Sequence, residues 1–292
     1  MTLSIIIVNW NVRSMLQKCL LSLGQYGADI RYDVIVIDNA SEDGSAEMVR
    51  HEFPEHTLIA NNTNRGFAAA VNQGIRASSG DVVLLLNPDT EIRESTLRQL
   101  LQEFAEHEET GIAGGKIQNE DGTIQPSVRA FPTVLSQLLI SLKLHHILHL
   151  PSYAKYMMEG FDYAKRQETD QVMGAFFGIR RKVIDQIGLF DERFFLWFEE
   201  VDFCKRAKNA GWKVVYIPGA TLIHQGGQSF AKLSPIKRQG IFLQSLRQYM
   251  SKHKGSAVGV LFAAIYPVSM LLAALAGALH SAPTAYEKRI KN

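Results

Sequence analysis

Asn87-Pro88-Asp89-Thr90 closes the apolar run Val82-Val83-Leu84-Leu85-Leu86, and its carboxylate is the best placed in the chain to do chemistry. Five consecutive apolar residues predict a strand buried on both faces, as in a parallel sheet covered by helices. Ligands bind at the carboxyl edge of such a sheet. Pro88 ends the ladder and fixes a turn, which leaves Asp89 at the mouth of the sheet. A carboxylate there suits a divalent cation carrying a phosphorylated ligand. The same four residues also suit an ordinary turn in which Asn and Asp bond their own backbone.

Val34-Ile35-Val36-Ile37-Asp38-Asn39 places a second carboxylate at the end of a second strand. Asp38 there can accept from a base N–H or a ribose hydroxyl, or it can cap a helix. The turn after the first strand, Asn9-Trp10-Asn11-Val12-Arg13, has no glycine, so the dinucleotide fingerprint is absent, and no P-loop pattern occurs. Asn64-Arg65-Gly66-Phe67 opens an alanine-rich helix that leads to Asn72. Gly66 allows close backbone approach, and Arg65 can meet a phosphate there or stay in solvent. Phe198-Glu199-Glu200-Val201-Asp202-Phe203 is an acidic cluster in an apolar setting. On a helix Glu199 and Asp202 share a face and Glu200 points about 100° away. Asp202 can pair with Arg206 at i+4, which leaves a glutamate free to act as a general base. His224, between Thr221-Leu222-Ile223 and two glycines, can ligate a metal.

The elements that hold these residues alternate. Strands are predicted at 3–8, 33–37, 57–60 and 82–86, and helices at 12–23, 45–51, 66–77 and 94–107. This order argues for a doubly wound α/β sheet. Beyond Gly111 the order is less regular: a hairpin turn at Glu120-Asp121-Gly122, a strand over 172–179, a helix over 198–209, and a strand over 213–217 ended by Pro218.

The chain has 292 residues and a net charge of +2, which gives no sign of a nucleic-acid binder. Its two cysteines, Cys19 and Cys204, form neither a disulfide framework nor a metal-ligand spacing, so a reducing compartment is expected. No basic segment precedes the apolar residues 3–8 and no small-residue cleavage site follows, so no signal peptide is expected. Two stretches depart from a soluble domain. Residues 131–151 carry Leu135, Leu138, Leu139 and Leu142 at helical spacing, as a buried helix or an interfacial segment. Residues 258–279 hold no charge and, at roughly 33 Å as a helix, could cross a bilayer. Pro267 in their middle leaves a kinked span or a hairpin open. Basic residues flank both ends, so charge does not fix an orientation. The expected division is a domain over 1–240 and a membrane-anchoring segment over 241–292.

Seven segments together resemble glycosyltransferase family 2, and within it the rhamnosyltransferase-like members. They are IIIVNWN, VIVIDNASEDGS, NRGFAAAVNQGI, VVLLLNPDT, GAFFGIRR, GLFDERFFLWFEEVDFCKRAKNAGWKVVYIPGA and LIHQGG, in the family's order across residues 3–230. The resemblance implies the GT-A fold: a Rossmann-like, mostly parallel sheet flanked by helices, here followed by a membrane-associated C-terminal helix. It implies a nucleotide-diphospho-sugar donor, Mg²⁺ or Mn²⁺, and inversion at the sugar carbon. Val8, Asn9, Asn11 and Asp38 resemble the pocket for the nucleoside. Arg65, Gly66, Asn72 and Asn87 would line the donor site. Asp89 resembles the last aspartate of the metal motif, with His224 or Glu91 completing the shell. Asn87 stands where that motif usually has aspartate. The base falls at Glu200, with Glu199 beside it as the other candidate.

The activity so implied is single displacement by an acceptor hydroxyl, with Glu200 taking its proton. At the ordinary carboxylate pKa of about 4.3 that glutamate is ionised at neutral pH, and a helix N-terminus would help keep it so. The apolar stretches imply a membrane, which fits a lipid-linked saccharide acceptor; the resemblance implies work at the cytoplasmic face and a role in cell-envelope polysaccharide synthesis. The narrower resemblance implies dTDP-rhamnose. Three rivals stay open: a polyprenyl-phosphate sugar synthase, a non-catalytic GT-A scaffold, and a sugar nucleotidyltransferase. The last would need a glycine-rich loop that Asn9–Arg13 does not supply.

Overall fold

The computed structural model describes residues 1–27, 30–226 and 233–281, with side chains through Leu275. In chain order the strands are β1 (Leu3–Asn9), β2 (Tyr32–Asp38), β3 (Thr57–Ala60), β4 (Val82–Leu86), β5 (Thr90–Ile92), β6 (Thr110–Gln118), β7 (Val128–Arg129), β8 (Gln167–Thr169), β9 (Gln171–Val172), β10 (Phe176–Arg180) and β11 (Lys213–His224). The helices are α1 (Arg13–Tyr26), α2 (Ser45–Glu52), α3 (Phe67–Ala77), α4 (Thr96–Glu106), α5 (Val134–Ser141), α6 (Pro151–Met157), α7 (Arg181–Ile187), α8 (Glu199–Asn209), α9 (Pro235–Lys254) and α10 (Ser256–Ser281). They form two compact units, Met1–Phe131 with Lys155–Ser229, and Pro132–Ala154 with Phe230–Asn292.

The first unit is built on a sheet ordered β3-β2-β1-β4-β10-β6-β11-β5, with β8 beside β11. β1 to β4 are parallel; β10 is antiparallel to both β4 and β6, and β11 is parallel to β6. Two reversals cancel, so β1, β2, β4, β6 and β11 all end at one edge. That edge carries Asn9, Asp38, Asn87, Gln118 and His224. The run Val82–Leu86 is buried throughout, as its unbroken apolar character requires. Burying each leucine there contributes roughly 1.5–3 kcal/mol relative to leaving it in water. On one face Leu16, Cys19, Leu20 and Leu23 of α1 pack at helical spacing. On the other, Ala68, Ala70 and Gly74 bring α3 close to the sheet: a Cβ on Gly74 would lie 2.5 Å from Ile6.

Most predicted elements recur within a few residues, and two do not. The strand expected over 172–179 is two strands, β9 and β10, separated by a bend at 173–175. The strand expected to end at Pro218 continues to His224. A register shift between Ile217 and Thr221 takes Pro218 out of the ladder, so a bulge replaces the stop. The hairpin turn at 120–122 forms, with Gly122 at φ 83 and an isolated bridge from Gln118 to Ile124.

In the second unit, α5 is capped by Thr133, whose hydroxyl accepts from Ser136 N, and it buries Leu139 while exposing Leu135. The expected boundary at 240 falls inside α9, and 132–154 groups with the C-terminal helices. Residues 258–279 lie in one continuous helix, α10, with Pro267 inside it, in place of a hairpin.

Candidate active site

The parallel register of β1 and β2 sets Asn9 beside Asp38. Ser41 ties them together. Its hydroxyl accepts from Asn9 Nδ2 (3.0 Å) and Asn11 N (2.9 Å), and its amide donates to Asp38 Oδ2 (3.0 Å). Asn11 and Ala40 hold left-handed backbone, at φ 57 and 66, to make these loops meet. Asp38 Oδ1 and Asn9 Oδ1 are buried with no hydrogen-bond partner. Such acceptors are rare in folded proteins and suit the N–H and O–H donors of a base or ribose. Burial raises the Asp38 pKa, and the hydrogen bonds from Ser41 partly offset this. Val8 is half-buried against the α3 side of the core. Ser41 was not singled out in the sequence, although its spacing from Asp38 is that of a local cap.

Asn39 organises the neighbouring loop. Its side-chain oxygen accepts from Arg65 N (3.0 Å) and Asn61 Nδ2 (3.2 Å); its nitrogen donates to Asn64 Oδ1 (2.9 Å) and Gly66 O (3.2 Å). The Arg65 side chain is exposed at the lip of this loop. Gly66 takes φ 83, and a Cβ there would lie 2.7 Å from the Phe195 carbonyl, which fixes glycine at this position. Asn72, expected at the donor, has another task. Its amide bonds Phe190 O (2.9 Å), Glu192 Oε1 (2.9 Å) and Phe190 N (3.0 Å), so it anchors the approach to the base segment. Removing the Asn39 amide takes the partner from Arg65 N and one bond each from Asn61, Asn64 and Gly66. Asn39→Ala is expected to lower stability by about 1–3 kcal/mol, read by denaturant unfolding. A change below about 0.5 kcal/mol would mean that the loop is held by other contacts.

At the other end of the edge, β5 pairs with β11 so that His224 faces Thr90. This brings His224 Nε2 to 3.3 Å from Asp89 Oδ1 and 3.5 Å from Asn87 Nδ2. Gln125, from the hairpin after β6, decides the state of the ring. Its Nε2 donates to the His224 carbonyl (3.0 Å), so its Oε1 is the atom that meets His224 Nδ1 (2.8 Å). Nδ1 therefore carries the proton, and in the neutral ring Nε2 presents a lone pair. A lone pair and a carboxylate oxygen 3.3 Å apart form a pair that a cation fits. An imidazole and a carboxylate are donors that both Mn²⁺ and Mg²⁺ sites accept. Glu91, the other candidate, turns to Arg93 (3.7 Å). Among the described residues no group of three His, Cys, Asp or Glu side chains forms.

α8 leads at its C-terminal end into the start of β11, so it runs back along that strand. Its N-terminus, with Glu199 and Glu200, thus lies toward the edge that carries His224. Trp197 and Phe198 enter the helix with φ 65 and 70, two successive strained residues of the kind found at functional sites. Asp202 is fully buried and bonds Arg206 (2.9 Å), which also holds Ile187 O and Leu189 O; this is the structural pair expected. Glu199 is buried and Glu200 half-buried, and an oxygen of each has no partner.

Ionisation of the two glutamates departs from the expectation. Burial, followed by the charge of Glu200, pushes Glu199 far above the ordinary carboxylate range. Burial also raises Glu200, while the first backbone amides of α8 pull it back. Both carboxyls are thus harder to ionise than an ordinary glutamate, Glu199 more so than Glu200.

The shift has a consequence for folding. Both carboxyls are protonated below the unfolded-state pKa of about 4.3, so their contribution is fully present there. It is lost as pH rises toward the raised native values. Glu199→Gln, which cannot ionise, is expected to show a shallower fall of Tm with pH above about pH 4 than the parent. Parallel Tm curves across that range would contradict the raised pKa.

A family model for glycosyl transferase family 2 matches residues 4–188. Over 243 residues the chain is 28% identical to an N-acetylglucosaminyl-diphospho-decaprenol L-rhamnosyltransferase of Mycobacterium tuberculosis, covering 78% of this chain and 77% of that protein. Over 227 residues it is 25% identical to rhamnosyltransferase WbbL of Escherichia coli, covering 75% of this chain and 82% of that one. Among solved structures, a mannosyltransferase from Pyrobaculum calidifontis in complex with GDP-Man and Mn²⁺ superposes with a TM-score of 0.57 at 15% identity, over 99% of this chain and 77% of that one. The sheet is that of the GT-A fold. With its matched segment spanning more than half its length, the chain belongs to glycosyltransferase family 2.

Proposed function

We propose that this glycosyltransferase moves rhamnose from dTDP-rhamnose to a hydroxyl of a lipid-linked saccharide, with inversion and with a divalent cation, at the cytoplasmic face of a membrane. The observation that supports the reading is the edge itself: unpartnered buried oxygens on Asn9 and Asp38, Asp89 and His224 3.3 Å apart, and two glutamates at the start of α8. The donor and acceptor classes draw support from the names of the relatives, which are rhamnosyltransferases, one of them acting on a decaprenol-linked N-acetylglucosamine.

Asp38 and Asn9 accept from the nucleoside and orient it. Asp89 and His224 would hold Mg²⁺ or Mn²⁺, with Asn87 as a neutral neighbour. When bound, such an ion neutralises charge on the departing diphosphate. Glu200, less shielded from solvent than Glu199, accepts the proton of the acceptor hydroxyl as the new bond forms. Arg65 lies at the loop lip, within the donor side of the edge.

A thermal-shift panel of nucleotide sugars with and without Mn²⁺ tests the reading. The sugar nucleotide that binds the folded state raises Tm with occupancy. The expected result is a rise with dTDP-rhamnose that needs Mn²⁺. A larger rise with another sugar nucleotide would reassign the donor, and no rise with any would remove the proposal.

A further inference from the structure

α9 and α10 form an antiparallel hairpin over nearly their whole length. Gly255, at φ 98, makes the turn. Near the turn, a Cβ on Gly259 would lie 2.8 Å from Ser251. Far from it, Gln239 Nε2 donates to Ser269 Oγ (2.9 Å), and Gly240 lies beside Tyr266 and Met270. The Ser269 hydroxyl in turn donates to Ser141 O (2.7 Å) of α5. These contacts set Arg247 opposite the stretch near residue 263.

The two helices present different outer faces. α9 buries Leu243, Leu246 and Met250 and exposes Lys237, Gln244, Arg247 and Lys254 at helical spacing. α10 buries Gly259, Phe262, Ser269 and Ala273 and exposes Val260, Leu261, Ala264, Val268, Leu271 and Leu275, an uninterrupted apolar stripe. Val260 is 68% and Leu271 60% exposed. Charge is segregated as well. Of the 31 basic and 29 acidic residues of the chain, ten and one fall in this second unit, although the whole chain is near neutral.

These facts decide between a helix that crosses a bilayer and one that lies on it. The window long and apolar enough to cross is Ser256–Leu275. With α9 packed alongside, a crossing α10 would carry exposed Arg247 to within about one turn of the middle of that window. An arginine is strongly disfavoured there. The same hairpin laid flat sinks the α10 stripe among acyl chains and leaves the basic residues at headgroup level, where anionic lipid attracts them. We infer that the α9–α10 hairpin is a monotopic docking surface for an anionic lipid bilayer, and that α10 does not span it. This surface deepens the reading of a lipid-linked acceptor by naming how the enzyme meets the bilayer that holds it.

The full chain is tested by cosedimentation with vesicles of phosphatidylcholine alone and of phosphatidylcholine mixed equally with phosphatidylglycerol. Binding is expected only to the anionic vesicles and to weaken with salt. Leu271→Glu is expected to reduce it at least tenfold, and Lys237→Glu with Arg247→Glu by roughly fivefold per charge. Alkaline carbonate is expected to strip the protein from native membranes. Retention after carbonate would establish a span and overturn the inference. Equal binding to both vesicles would remove the anionic preference. A dimer in solution, dissociated by Leu271→Glu, would assign the stripe to a second copy. Transfer to a short water-soluble acceptor should survive in Leu271→Glu. Vesicle binding without transfer to any polyprenyl-linked acceptor would sink the acceptor reading and leave the surface standing.

Discussion

Glu200→Gln is expected to lower kcat by about 10²–10⁴-fold while dTDP-rhamnose binding, read by thermal shift with Mn²⁺, stays within about twofold. The size follows from removing a proton acceptor that acts only in the transition state. Glu199→Gln is the control. Glu199 is the more buried of the pair, and burial and its neighbour's charge oppose its ionisation. Because Glu199 takes no proton from the acceptor in this reading, its amide variant should leave kcat within about tenfold, each factor of ten being about 1.4 kcal/mol. The pH profile separates the two further. Glu200 must be ionised to work, and burial raises its pKa, so activity should fall on acidification at a higher pH than an ordinary carboxylate would give. If the limb belongs to Glu200, Glu199→Gln should leave it in place. Should Glu199→Gln abolish transfer while Glu200→Gln keeps it, the roles are reversed.

Sequence reasoning reached the residues of this edge more easily than their states. Apolar runs ending in Asp38 and Asn87 locate the carboxyl edge because a strand buried on both faces has no polar alternation to hide it. The fate of Pro218 was not legible, since a bulge depends on the partner strand and not on the local pattern; the stop and the bulge share one sequence. Asn72 read as a donor contact because its helix starts at the sheet edge, and only the loop at 190–192, more than a hundred residues away, shows which groups it bonds. Gln125 was invisible for the same reason. Its partner lies ninety-nine residues on, in a strand whose local pattern stops at Pro218. The ionisation of the glutamates failed differently. Burial decides it, and burial of a charged residue at a helix N-terminus cannot be read from the acidic run itself.

Gln125→Met is expected to weaken Mn²⁺ binding by about 10–100-fold, the usual cost of losing the group that orients a metal-binding histidine. Methionine keeps the length of the side chain but accepts no proton from His224 Nδ1. The ring is then released to the other tautomer, whose Nε2–H would point at Asp89 Oδ1 and close the cation position with a hydrogen bond. Gln125→Glu keeps an oxygen for Nδ1–H and should hold Mn²⁺ at least as well as the parent, although it gives up the bond to the His224 carbonyl. Asp89→Ala removes a carboxylate donor outright and should cost more than Gln125→Met, together with the Mn²⁺ dependence of donor binding. Two readouts do not depend on turnover. Mn²⁺ titration followed by electron paramagnetic resonance gives the affinities. Nitrogen NMR of the metal-free protein should show His224 protonated at Nδ1 in the parent and in mixed tautomers in Gln125→Met. An Nε2–H signal in the parent would refute the assignment, because the carbonyl of His224 leaves the Gln125 amide one orientation and that orientation leaves the ring one tautomer.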